Sequence, residues 1–130
     1  MQTVNDFLKK VKTYYLATID GSQPRVRPFG TINLFEGKLY IQTGKKKNVA
    51  KQIMANPQVE LSAFDGETWI RIACTLMEDN RPEAQESMLQ AYPTLLGRYA
   101  VNDGNTVVYY LRDATATFYT FSGGSRVVKW

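Results

Sequence analysis

Ile41-Gln42-Thr43-Gly44-Lys45-Lys46-Lys47-Asn48-Val49-Ala50-Lys51-Gln52-Ile53 is the stretch whose reading decides the fold. It starts as the end of a β-strand, which Thr43-Gly44 breaks. Lys45, Lys46 and Lys47 form a basic loop, and Asn48 suits a helix N-cap. Val49, Ile53 and Met54 then set apolar groups on one helical face. A strand, a short loop and a helix start bring backbone N–H groups, the positive end of a helix dipole and lysine charge together. That combination suits an anion, and phosphate is the usual occupant. A solvated basic loop ahead of a surface helix fits the same residues.

Outward from this stretch the chain alternates strands and turns. Upstream, Thr3 to Lys12 reads as a helix, capped by Thr3 and carrying an apolar stripe of Val4, Phe7, Leu8 and Val11. Tyr14 to Ile19 is a strand and Asp20-Gly21 a turn. Pro24 to Phe35 reads as one further strand. Within it Arg25 and Arg27 share a face, with Val26 and Pro28 on the other. Pro28 cannot donate to a ladder and Gly30 permits close approach. A bulged edge strand and a ligand-lining strand both satisfy Arg25-Val26-Arg27-Pro28-Phe29-Gly30. Glu36-Gly37 turns the chain into Lys38 to Thr43.

Downstream, Asn56-Pro57 ends the helix. Val59 to Phe64 and Thr68 to Met77 are strands, the second with Trp69, Arg71 and Ala73 opposite Ile70, Ile72 and Cys74. Pro82 opens another helix, with Met88 and Leu89 as core contacts. Tyr92-Pro93 interrupts it, and Thr94 to Tyr99 gives a further helical turn. Thr106 to Leu111 and Thr115 to Phe121 read as two strands joined near Asp113, and Arg126 to Trp130 as the last. The expectation is a mainly β chain of six to eight short, mostly antiparallel strands. They form a small barrel with helices outside it, an α+β arrangement.

The 130 residues, 44% of them hydrophobic, suit a single domain spanning 1–130 with one core. No apolar run nears the ~20 residues needed to cross a bilayer. Met1 to Asp6 lacks the form of a signal peptide, so a cytoplasmic protein without a membrane partner is expected. One cysteine, Cys74, excludes an intramolecular disulfide. The absence of histidine removes the commonest metal ligand and general base, so no metal site is expected. An enzyme so equipped would take its chemistry from a cofactor. Residues 1–51 hold ten Lys/Arg against three Asp/Glu, and residues 52–130 hold six against nine. The excess of positive charge is therefore local; an anionic ligand and nucleic acid are both candidates, and a solvated surface accounts for Lys9, Lys10 and Lys12.

In order along the chain come Pro-Arg-Val-Arg-Pro at 24–28, Leu-Tyr-Ile-Gln-Thr-Gly-Lys-Lys-Lys-Asn-Val-Ala-Lys-Gln-Ile at 39–53, and Asn-Pro-Gln-Val-Glu-Leu at 56–61. Trp-Ile-Arg-Ile at 69–72, Ala-Tyr-Pro at 91–93 and Tyr-Tyr-Leu-Arg-Asp-Ala-Thr-Ala at 109–116 follow. This series resembles the pyridoxamine 5′-phosphate oxidase-related flavoproteins of the FMN-binding split-barrel fold, and their short, general-purpose members more than the true oxidase. The resemblance implies a homodimer with FMN in the cleft between the chains. It implies that Arg25, Val26, Arg27, Pro28 and Phe29 run beside the flavin ring, and that Thr43, Lys47 and Asn48 hold the phosphate. Trp69 and Arg71 match the long-strand region that reaches the flavin.

The chain departs from the family where many members carry Ser-Arg-Lys and it has Lys47-Asn48-Val49. One basic contact is then missing, and Lys45 or Lys46 is expected to replace it. Cys74 stands where members often have glycine. The arginine-containing C-terminal signature of the true oxidase is absent, which argues against vitamin B6 synthesis. Some relatives use a deazaflavin or haem, and haem held by histidine is excluded here. The function implied is that of an FMN-dependent oxidoreductase acting on a small planar substrate. A flavin carrier, sensor or stress protein is the alternative. A small basic barrel could also bind nucleic acid. The lysines, however, cluster at one loop instead of alternating with aromatics along a groove, which argues against that partner.

Overall fold

The computed structural model describes residues 1–130. Eight strands and three α-helices follow in the order α1 (Gln2–Val11), β1 (Tyr14–Asp20), β2 (Gln23–Phe29), β3 (Asn33–Phe35), β4 (Lys38–Gly44), α2 (Asn48–Ala55), β5 (Gln58–Phe64), β6 (Thr68–Glu78), α3 (Pro82–Ala91), β7 (Thr106–Thr120) and β8 (Ser125–Lys129). A 3₁₀ turn, Pro93–Gly97, follows α3. Strand order is β2-β1-β5-β6-β7-β4-β3, with β8 also on β7 and every pair antiparallel. This is the mainly β split barrel with flanking helices.

The barrel is split because β7 is long and shares one edge between two partners. Its first half pairs with β4, Tyr110 opposite Tyr40, and its second half with β8, Thr117 opposite Val127. Between them Asp113 adopts φ 51° and the β6–β7 register shifts between Ala73 and Thr75. An extra residue on β7 makes a bulge that bends the strand. Two strands joined near Asp113 are thus one strand with a kink.

The two ends of the strand order, β2 and β3, are consecutive in the chain. Gly30 to Ile32 carry it from one edge to the other, so Pro24 to Phe35 is two strands and not one. Thr31 ties this crossing at both sides. Its carbonyl accepts from Tyr14 Oη at 2.6 Å, and its hydroxyl accepts from the Gln42 N–H at 3.0 Å. Side-chain hydrogen bonds close the barrel where no ladder does.

Alternation decides what fills it. Tyr14, Leu16, Leu61, Ile70, Ile72, Ala116 and Leu111 point inward and are buried, joined by Val4 and Leu8 of α1 and Val49 and Ile53 of α2. A smaller cluster of Tyr40, Ala84, Met88 and Val108 lies under α3. Met54 does not share the face of Val49 and Ile53 as expected, and is 81% exposed. α1 begins one residue before Thr3, with Met1 at its N-cap. Similarly Lys47, not Asn48, is the N-cap of α2, and Asn48 is its first helical residue.

Candidate functional site

The loop that opens α2 is held from behind. Gly44 ends β4 against the segment 99–105: a β-carbon there would lie 3.0 Å from Asn105 Nδ2 and 3.1 Å from Tyr99 Cε1. Asn105 takes up two loop N–H groups, its carbonyl accepting from Lys45 at 2.7 Å and its Oδ1 from Lys46 at 3.1 Å. Lys47 N–H donates to the Gly44 carbonyl at 3.1 Å. The backbone N–H groups of all three lysines are therefore spent inside the protein. At the start of α2 the N–H groups of Ala50 and Lys51 donate to the Lys47 carbonyl at 3.2 and 3.4 Å, and those of Asn48 and Val49 have no backbone acceptor.

In front of the loop lies a cleft of about 290 Å³. Phe29, Gly30 and Thr31 form one wall, Gln42, Thr43 and Lys47 the floor, and Tyr92, Arg98 and Tyr99 the far side. The Tyr92 ring is fixed by its hydroxyl, which donates to the Ile32 carbonyl and accepts from the Ile32 N–H, each at 3.0 Å. Thr43 is buried, and its hydroxyl makes no hydrogen bond within the chain. Gln42 Nε2 donates to the Thr43 carbonyl at 3.1 Å, leaving Oε1 without a partner. Lys47 and Arg98 line the cleft with no carboxylate beside either. The donor set is two cations, a hydroxyl and a helix start, between aromatic and apolar walls. Its chemistry fits a phosphorylated, flat molecule.

Of the residues expected at the site, Pro28, Phe29, Thr43 and Lys47 line this cleft, and Asn48 adjoins it as the first residue of α2. The others lie elsewhere within the chain. Arg25 Nε pairs with Asp20 at 3.3 Å. Arg27 is tied down by Thr18 Oγ1 at 2.7 Å, Gln52 Oε1 at 2.6 Å and the Leu16 carbonyl at 3.2 Å. Burial, with Arg25 nearby, lowers its pKa from the ordinary value. Val26 is exposed on the opposite face of β2. Lys45 Nζ is 3.7 Å from Glu78, and Lys46 is exposed outside the cleft. Trp69 stacks on Tyr119 at 5.3 Å and meets Phe121 at 5.0 Å, while Arg71 pairs with Glu60 at 3.3 Å. Gln42, Tyr92, Arg98 and Tyr99 are among the cleft residues that the sequence reading missed. Arg98 left a trace there, having no acidic residue within four positions.

A larger groove of about 630 Å³ crosses the outer side of β1, β5, β6 and β7. It is lined by Glu60 and Asp113 and by no basic side chain, so its charge is wrong for an anion. Around it the sheet face is bare. Tyr15, Val26, Phe64, Phe121 and Val127 are exposed there, and the three α-helices pack elsewhere. No helix is long and apolar enough to cross a membrane.

A family model described as Pyridoxamine 5′-phosphate oxidase matches residues 1–94. A solved structure of a NimC/NimA family protein from Clostridium acetobutylicum is 39% identical, the match covering 100% of this chain and 92% of that one at a TM-score of 0.96. A pyridoxamine 5′-phosphate oxidase-related, FMN binding protein from Nostoc punctiforme is 14% identical, with 97% and 90% covered and a TM-score of 0.63. General Stress Protein 26 from Bacillus anthracis is 16% identical, with 96% and 98% covered and a TM-score of 0.68. The last two likenesses speak for the fold alone. No curated protein matches the chain.

Proposed function

The chain belongs to the pyridoxamine 5′-phosphate oxidase family, and from that premise we propose that it is a homodimeric FMN-binding flavoprotein, an oxidoreductase acting on a small planar substrate. The observation that carries this reading is the cleft in which Thr43, Lys47 and Arg98 present unpaired polar groups beside Phe29, Tyr92 and Tyr99. Lys47 and the first N–H groups of α2 would hold the phosphate. Thr43 and Gln42 would meet the polar part of the molecule that follows it. β2 ends the strand order, so one of its edges is free to offer backbone groups to the ring. When bound, the flavin supplies the redox chemistry, accepting a hydride from one partner and passing it to another. The protein's task is then to orient the ring, keep water from it and stack a flat substrate on its open face.

A cleft of about 290 Å³ is at the small end for a cofactor site, so one chain would hold only part of a flavin nucleotide. A second copy on the bare sheet face would complete it, and Pro28, which belongs both to that face and to the cleft, marks where the two meet. Trp69 and Arg71 would then approach the cofactor of the other chain.

The test is a titration of the purified protein with FMN and riboflavin, followed by absorption and by quenching of tryptophan emission. A reduced nicotinamide nucleotide is then added. Binding of FMN in the micromolar range or tighter, ahead of riboflavin, and oxidation of the nucleotide are expected. No binding of FMN, FAD or a deazaflavin at micromolar protein would overturn the reading. FMN bound without turnover by any donor would replace the oxidoreductase with a flavin carrier or sensor.

A further inference from the structure

Building on the flavin reading, we propose that Arg98 supplies the second cation of the cofactor's phosphate site, in place of Lys45 or Lys46. Arg98 lies beyond the residues 1–94 that match the family model. It fills a gap that the run Lys47-Asn48-Val49 leaves open. Lys45 is turned to Glu78 on β6, and Lys46 is outside the cleft. Arg98 is exposed and lines the cleft together with Thr43 and Lys47.

Two arginines, Arg98 and Arg126, have no side-chain partner in the chain, and of these only Arg98 lines the cleft, Arg126 lying on β8. Arg25, Arg71, Arg81 and Arg112 have carboxylate partners, and Arg27 is held by Thr18 and Gln52. Arg98 has neither. Two cations brought to one cleft without a carboxylate repel each other, and a doubly charged anion between them reverses the sign of that interaction. A guanidinium can also grip two phosphate oxygens at once, which an ammonium cannot.

The backbone explains why this residue is held where it is. The 3₁₀ turn Pro93–Gly97 ends with Arg98 N–H and Tyr99 N–H both donating to the Leu95 carbonyl at 2.9 Å. The Tyr99 ring packs on Gly44, within reach only because that residue has no side chain. Arg98 is thus carried on a segment docked against the phosphate loop itself. Its side chain is exposed and makes no hydrogen bond or ion pair within the chain, so its substitution is expected to leave the barrel folded.

The experiment compares FMN and riboflavin affinities for the full-length protein and for Arg98→Ala, Arg98→Lys and Lys10→Ala, at low and high salt, with inorganic phosphate as competitor. Lys10 is a surface control that removes one positive charge from α1. Arg98→Ala is expected to weaken FMN about tenfold to a hundredfold, the range for charge-assisted hydrogen bonds, and riboflavin hardly at all. It should also flatten the salt dependence of FMN binding and weaken competition by phosphate. Arg98→Lys should recover part of the loss, and Lys10→Ala should match the parent. Equal effects of Arg98→Ala on FMN and riboflavin, or no effect on either, would overturn the assignment while leaving the flavin reading intact. A parent protein that binds neither flavin would overturn both.

Discussion

Lys47 tests the phosphate reading with one side chain. It is the N-cap of α2, it lines the cleft, and its ammonium has no carboxylate partner. Lys47→Glu places a like charge against the phosphate. It should weaken FMN by more than Lys47→Ala, which itself should cost about tenfold to a hundredfold, and leave riboflavin little changed. Fluorescence titration measures all four affinities, and equal losses for both flavins would move Lys47 away from the phosphate. Asp79 is a residue of the opposite kind, buried and fully engaged. It accepts from Tyr40 Oη at 2.8 Å and from Arg81 Nε and Nη2 at 3.0 and 2.8 Å. Burial and then this contact push the Tyr40 hydroxyl up to about 12, and Arg81 holds the Asp79 carboxyl well below the usual range. Asp79→Ala leaves the buried Tyr40 hydroxyl unpaired, and a loss of about 2–3 kcal/mol in urea unfolding is expected.

At the scale of elements, the basic loop Lys45 to Lys47 depends on the segment that follows Arg98. Asp103 organises that segment by accepting from the N–H groups of Thr106 at 2.6 Å, Asn105 at 2.8 Å and Ala100 at 3.0 Å. These bonds, led by that of Thr106, hold its carboxyl below the ordinary value. The folded chain therefore binds fewer protons than the unfolded chain through the acid range. The stabilisation is complete above the unfolded carboxylate pKa of about 3.9 and is lost as the pH falls below it. Thermal unfolding from pH 7 down to pH 3 should show a smaller loss of stability for Asp103→Asn than for the parent. A parallel slope in the two proteins would remove Asp103 from the account. Gly44→Ala acts on the same contact from the other side. Its β-carbon would press on Asn105 and Tyr99 at 3.0–3.2 Å, so the two loops must part by a few tenths of an ångström. FMN should weaken severalfold while the fold survives, and crystal structures of the parent and the variant would show the displacement.

For the whole molecule the question is what covers the bare sheet face. Phe64 is 53% and Phe121 is 76% exposed, and they flank the Trp69–Tyr119 stack. Apolar surface of this extent usually marks an interaction site. If two copies bury it and share each flavin, binding and assembly are linked. Sedimentation should then show a dimer, FMN should raise the mass found at low protein concentration, and dilution should release FMN. Trp69 emission, read in a Trp130→Phe background, should be quenched on binding. A monomer that binds one FMN tightly at every concentration would overturn the shared site and leave the Lys47 prediction standing.

The sequence by itself determined the order of elements, because period and turn residues are local. Leu61, Ile70 and Ile72 recur at the two-residue period of a strand, Asp20-Gly21 and Glu36-Gly37 sit at hairpins, and Pro82 opens a helix. It also placed Thr43, Lys47 and the α2 start together at the end of β4, since they are contiguous. Only the tertiary structure decided which charges reach the cleft. Lys45 and Lys46 are adjacent to Lys47, but Glu78 on β6 draws Lys45 away and Asn105 takes up the N–H groups of both. Arg98 lies about fifty positions further on and reaches the cleft because Tyr99 packs on Gly44. The kink at Asp113 escaped the sequence for a related reason. A left-handed residue within a strand reads as a turn until its partners on β6 show that the ladder continues across it. Local pattern fixes what each segment is, whereas the partner a side chain finds depends on contacts between segments far apart in the chain.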